Sequence, residues 1–197
     1  MKYFLMICIL FSVAFSDSIP KYDRGDWKHW SDDDKDCQST RNEVLFAENL
    51  HNQRKVEFKT EKECRVEFGM WYLAFSGTYA TTPKKIDVDH LVPLKNAHES
   101  GGWAWSKEKK KEFANYMKDP WHLIAVSARE NRRKGAKGPD KYLPPNILER
   151  PSYCLAWVKI KVKWDLDETP EALKVLKECL DNVNDVIYPK ERTLGVE

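Results

Sequence analysis

Two carboxylates and a histidine stand together at Asp87, Asp89 and His90, inside the octet DVDHLVPL, whose other residues alternate like a strand. A second polar group follows in WHLIAVSARENRRK, where His122 to Val126 has strand character and Ser127 stands where a helix would begin. Glu130, three residues after Ser127, completes a capping box, so Asn131 falls in the first turn of that helix. A first-turn side chain can point back at the strand just left. If that strand pairs with the one ending at Asp89 and His90, then Asp89, His90 and Asn131 meet in one small site. Such a site suits metal-assisted phosphodiester hydrolysis. A hard divalent cation prefers oxygen, which the Asp89 carboxylate and the Asn131 side-chain carbonyl supply, while phosphate and water fill the other positions. His90, with an ordinary pKa of about 6.5, is suited to take a proton from water at neutral pH. Asp87 would orient the site or bind a water on the metal. Lys134, near one helical turn beyond Asn131, could hold the phosphate or stabilise its developing charge.

Each of these residues has a plainer reading. Alternating Asp-Val-Asp also describes an exposed strand face, and an Asp-His pair alone is common; the helix that follows, with Asn131 and Lys134 at the right remove, tips the balance to chemistry. The cluster Arg129, Arg132, Arg133, Lys134, Lys137 and Lys141 would flank the metal and attract a polyanion. The net charge is only +2, so any such attraction lies in how charge is distributed. KEKKK, at Lys107 to Lys111, reads as a solvated helix face, and His29, His51 and His98 read as surface residues. No aromatic ladder or base-reading helix is evident, so sequence specificity is not implied.

The elements that must position these residues fit one domain, since 197 residues bury one core and 42% hydrophobic content with eight Trp argues against disorder. Lys2 and the apolar run Tyr3 to Phe15 read as a secretory signal over 1–16, with Ala14 and Ser16 suiting cleavage before Asp17. The mature domain is then 17–197, with its core motif region at 86–141. Four cysteines remain in an oxidising compartment, which implies two disulfides. Three pairings are open, and sequence proximity favours Cys37 with Cys64 and Cys154 with Cys179. No two cysteines have the short spacing of a structural zinc site, and no Asn-x-Ser/Thr acceptor exists. The acidic lead-in DDDKD, from Asp32, places carboxylates like a calcium loop with Glu43 at the twelfth place, but Cys37 occupies the glycine position. TRNE, Thr40 to Glu43, is a capping box for a helix through Val44, Leu45 and Leu50, so Glu43 reads as a cap and calcium as a secondary reading.

Further along, HNQRKVEFKTEKEC reads as a solvent-facing loop or edge strand, and VEFGMWYLAFSGTY as short strands with a turn. KNAHESGGWAW reads as a loop. Ser106 can cap the lysine-rich helix, whose apolar side carries Phe113, Ala114 and Met117. In ETPEALKVLKECL, Thr169 caps, Pro170 takes the first turn, and Leu173, Leu176 and Leu180 form an apolar stripe.

DVDHLVPL followed by NRRK resembles the HNH endonuclease branch of the ββα-metal nucleases. CQSTRNEVL, ESGGWAWS, KEFANYMKDP, LIAVSARENRRKGAKGPDKYLPP and YCLAWVKIKVKW extend the resemblance over nearly all of the mature chain, towards secreted HNH nucleases of bacteria and fungi. The resemblance implies an α+β fold with a ββα-metal (HNH) core and additional helices. It implies one divalent ion, magnesium first, with manganese, calcium or zinc as alternatives, and products ending in 5′-phosphate and 3′-hydroxyl. The family's base falls on His90, its metal-binding acid on Asp89 and its last Asn on Asn131. Its middle position, often Asn, steadies the base and falls on His122. YCLAWVKIKVKW alternates like a strand, whereas the resemblance implies a helix. The expected protein is thus a secreted, metal-dependent endonuclease acting on DNA and also RNA with low specificity, with no membrane segment after signal removal and no obligate protein partner. The competing reading is an inert, disulfide-stabilised binding module on the same scaffold, and a zinc peptidase would need a His-Glu-x-x-His helix that the chain lacks.

Overall fold

The structure, a computed structural model, describes residues 18–50, 57–58 and 64–181. The expected signal segment 1–16, His51 and most of the HNQRKVEFKTEKEC stretch lie outside these residues. The described elements run α1 (Thr40–Ala47), β1 (Glu57–Phe58), β2 (Val66–Phe68), β3 (Trp71–Leu73), β4 (Thr78–Ala80), β5 (Ile86–His90), α2 (Leu94–Glu99), α3 (Lys107–Ala114), β6 (Leu123–Ser127), α4 (Ala128–Lys134), α5 (Arg150–Lys163) and α6 (Pro170–Asp181). This is an α+β arrangement. Its strands form antiparallel pairs, β1 with β2, β3 with β4 and β5 with β6.

The pair β5 and β6 sits between two packed clusters, and its register decides what faces each. Ile86 and Val88 join Leu123 and Ala125 on one face, against Val44, Leu45 and Trp71. Ile124 and Val126 turn to the other face, towards Trp27, Phe113 and Trp157. Asp87 pairs with Val126 and Asp89 with Ile124, so strand alternation puts both carboxylates on that second side, where α4 packs. α4 starts where Ser127 Oγ accepts from Glu130 N at 3.2 Å. It ends at Gly135, whose φ of 54° lies in the left-handed region that glycine adopts without strain.

Several local expectations change in the folded chain. α1 is capped at Ser39 with no side-chain bond. Thr40 Oγ1 instead donates to Ser31 O at 2.9 Å, tying the arm to the helix. Glu43 makes no capping bond; burial, and then Asp34, Asp36, Asp32 and Asp33, hold its carboxyl above the usual range. Leu50 lies beyond the helix and is exposed. The stretch read as a loop after Pro93 forms α2, because Leu94, Ala97 and His98 have a core to bury against. His98 is buried rather than on the surface, with Nε2 2.7 Å from Pro20 O. α3 begins at Ser106, whose Oγ accepts from Lys109 N, but its lysines are not all solvated: Lys110 is buried with its ammonium over the Trp27 ring. YCLAWVKIKVKW is helical within α5, because Tyr153, Trp157 and Ile160 recur at helical spacing and are fully buried. In α6, Leu176 is buried beside Ala172 while Leu173 stays exposed, so the apolar stripe is narrower than the leucine spacing implied.

Cys37 bonds Cys64, and Cys154 bonds Cys179. The second bridge staples α5 to α6. The N-terminal arm is anchored by Trp27, which packs on His98, Trp105 and Phe113, and by Asn115, whose Nδ2 donates to Lys28 O at 2.8 Å.

Glu48, at the end of α1, accepts the Ala125 N–H of β6 at 3.0 Å through Oε2. Burial raises its pKa from 4.5 to about 7, and the Ala125 N–H opposes the shift. A proton held more tightly when folded means stability is greatest below the unfolded value and is lost as pH rises through the folded one. Wild type should therefore lose about 2 kcal/mol between about pH 5 and pH 8, after discounting for its partial exposure. Glu48→Gln keeps an acceptor for Ala125 and should flatten that slope. Urea unfolding at the two pH values measures it, and equal slopes for both chains would remove Glu48 as the cause.

Candidate active site

Asn131 and Lys134 are three residues apart on α4, and Asp87 and Asp89 are two apart on β5, so the two pairs meet like rungs. Asn131 Nδ2 donates to Asp87 Oδ2 at 3.0 Å. Lys134 Nζ lies 2.8 Å from Asp89 Oδ2. Below these rungs is the second aromatic cluster; above them is a cleft of about 360 Å³ lined by Asp89, His90, Asn131, Tyr22, Arg24 and the Gly135 turn.

Lys134 is fully buried and also donates to His90 O at 2.9 Å. It neutralises Asp89 and clips the end of β5, which corrects its expected role as a phosphate ligand: its ammonium is already committed inside the protein. Burial pushes the Asp89 carboxyl up and Lys134 opposes this, while burial pulls the Lys134 ammonium down against Asp89. The ion pair lies off hydrogen-bond direction, so Asp89 Oδ2 is buried without a directed donor. Asp89 also lines the cleft. Asn131 spends its amide nitrogen on Asp87, which leaves its carbonyl oxygen free. Two oxygen donors of this kind suit a hard divalent cation.

His90 ends β5, buried, with Nε2 2.9 Å from Ala114 O at the end of α3. A carbonyl only accepts, so Nε2 carries the proton and Nδ1 keeps a lone pair. Burial holds the ring's pKa well below its ordinary value, despite the opposing Ala114 carbonyl. The imidazole is neutral at pH 7. Trp30 packs on it with ring centroids 5.2 Å apart.

His122 does not steady His90. Its Nε2 donates to Phe113 O at 2.7 Å, and its ring packs on Phe113, Tyr116 and Trp164. Burial brings its pKa down to about 4. The two histidines hang from consecutive carbonyls of α3, but His122 is a core residue.

The basic residues of α4 and of the turn that follows it divide. Arg132, Arg133, Lys137 and Lys141 line a groove of about 390 Å³ next to the cleft, joined by Lys95. Arg133 pairs with Glu130 at 3.5 Å, and Arg129 is exposed outside that groove. Asp32, Asp34 and Asp36 bring exposed oxygens within 4.8 Å of one another, each accepting a nearby backbone N–H.

Arg24 was missed in the sequence, as was His29. Arg24 lines the cleft from the N-terminal arm, and its Nη2 donates to His29 Nε2 at 3.2 Å. His29 Nδ1 faces Trp27 O at 2.9 Å, which puts the proton on Nδ1 and a lone pair on Nε2 towards Arg24. The missed signal was YDRGDWKHW, where a buried Trp fixes an arginine and a histidine on either side of it.

A family model described as "GmrSD restriction endonucleases, C-terminal domain" matches residues 23–178. An "Uncharacterized secreted protein" of Arthroderma benhamiae is 31% identical over 160 residues, covering 81% of this chain and 74% of the relative. No solved structure matches. No helix among the described residues is long and apolar enough to cross a membrane. The two disulfides fit an extracellular protein, in keeping with that relative's name. A match running from the arm that carries Arg24, through the β5–β6–α4 site, to the helix that carries Cys154 and most of the next places the chain in a nuclease family: it is a secreted protein that belongs to the family of the GmrSD restriction endonuclease C-terminal domain.

Proposed function

We propose that the chain is a secreted endonuclease of HNH type, hydrolysing phosphodiester bonds of DNA, and of RNA as well, with low sequence specificity. The observation that carries this reading is the meeting of Asp89, His90 and Asn131 at one cleft, where Ala114 O holds the His90 ring through Nε2 and leaves Nδ1 its lone pair. Asp89 and Asn131 would hold one divalent cation, magnesium first, whose charge when bound would offset that of the phosphate. His90 takes the proton of the attacking water on Nδ1 while Ala114 O fixes the ring. Asp87 fixes Asn131. Arg24 replaces Lys134 as the cation that faces the phosphate, held in direction by His29.

Plasmid nicking by refolded mature protein tests the reading. Cutting should require Mg²⁺ or Mn²⁺, stop with EDTA and return when metal is restored. Arg24→Ala should lower kcat/KM by about 10²-fold, the loss typical of one charge-stabilising donor, without changing the unfolding midpoint. Oxidised, folded wild type that cuts neither DNA nor RNA with any divalent metal would sink the proposal, and full activity in Arg24→Ala would remove that residue from it.

A further inference from the structure

A groove of about 480 Å³ opens at the start of β5, the opposite end from His90, and is lined by Arg41, Arg65, Phe68 and Lys84. Arg41 is half-buried, and its Nη2 donates to Ile86 O at 3.1 Å. Burial lowers its pKa, Asp87 opposes this, and the like charge of Arg65 lowers it further. Among the described residues neither Arg65 nor Lys84 pairs with a carboxylate. Among the described residues Glu67 is the single acid lining the groove. Arg41, Arg65 and Lys84 outnumber that acid, and an excess of like charge costs free energy that a bound anion relieves. Phe68 adds an aromatic face that is 49% exposed.

β5 joins the groove to the cleft. Arg41 bonds the carbonyl of Ile86, the next residue Asp87 is bonded to Asn131, and Asn131 lines the cleft. Along β5 the two sites are about 13 Å apart at about 3.3 Å per residue, which is about four nucleotides at the 3.4 Å rise of a stacked strand. Cations for phosphates beside an aromatic ring for a base are what a single strand needs.

We infer that this groove binds a single-stranded segment of the substrate next to the scissile phosphate, with Arg65 and Lys84 on phosphates and Phe68 stacked on a base. The inference rests on the nuclease reading of the cleft. It assigns part of the substrate's affinity to residues outside the catalytic machinery.

The test uses the full mature chain, Arg65→Gln/Lys84→Gln and Phe68→Ala. Binding of a labelled single-stranded oligonucleotide is followed by anisotropy in EDTA, where nothing is cut. Both variants should bind about tenfold more weakly. The salt slope of the double variant should fall by about 1.4, at about 0.7 per lost phosphate contact. Hydrolysis of bis(p-nitrophenyl) phosphate, which is too small to reach the groove, should be unchanged. Unchanged oligonucleotide affinity overturns the inference, and so does an equal loss on the small diester, which would mark damage to the cleft. If wild type cuts neither substrate but the variants still bind tenfold more weakly, the groove stands and the nuclease reading falls.

Discussion

Lys134→Met is expected to destabilise the chain by about 3–5 kcal/mol, because it leaves the Asp89 carboxylate buried and unpaired. Methionine fills the volume of the lysine stem but offers no donor to Asp89 Oδ2, 2.8 Å from Nζ, or to His90 O, 2.9 Å from it. Asp89→Asn alone should be costly for the mirror-image reason, since it strands an ammonium that is fully enclosed. The double variant should recover much of the loss, because a neutral pair has no charge to leave unsatisfied. Urea unfolding of the four chains gives the coupling energy. A coupling below about 0.5 kcal/mol would show that the two groups are independent and that the buried pair does not hold β5 to α4. A large coupling would explain how one carboxylate both pairs with Lys134 inside and lines the cleft.

Local signals carried the strand, loop, strand and helix around the site, because each has a short-range cause. Ser127 and Glu130 mark a helix start through one backbone hydrogen bond, and alternation in IDVDH fixes which side chains share a face. What sequence could not show was depth. Lys134 and Arg24 are both cations within reach of the motif, yet one is sealed beneath β5 and the other lines the open cleft. That difference depends on the packing of α4 and on the arm pinned by Trp27, contacts between residues far apart in the chain. The same holds for His98 and His122, whose surroundings come from Pro20 and from the Phe113–Trp164 cluster. Alternating lysines in α5 imitated a strand, because Lys161 is buried, with its ammonium 3.6 Å from Glu168, while Lys163 reaches over Tyr116. The disulfides were legible only as a preference among pairings, since proximity in sequence is a weak guide to proximity in space.

His90→Gln is the sharpest test of the proposed chemistry, because it separates the two things His90 does. The glutamine amide can still donate to Ala114 O, as Nε2 does at 2.9 Å, but it cannot take a proton from water. Its kcat should fall by about 10²–10⁴, the range for loss of a general base, while metal affinity and the unfolding midpoint stay near wild type. His90→Ala should lose the same activity and, in addition, about 1 kcal/mol of stability for the missing hydrogen bond. His122 supplies the control. Its ring is 1% exposed and bonded to Phe113 O, so His122→Gln should move stability while leaving kcat close to wild type. Kinetics with a saturating divalent metal, beside urea unfolding, read both quantities for all the chains. If His122→Gln loses as much turnover as His90→Gln, the base is not uniquely His90 and α3 holds two working imidazoles. If His90→Gln keeps its turnover, water is activated elsewhere, and His29 could take over only by giving up its bond from Arg24, although its ring lies 6.3 Å from that of His90.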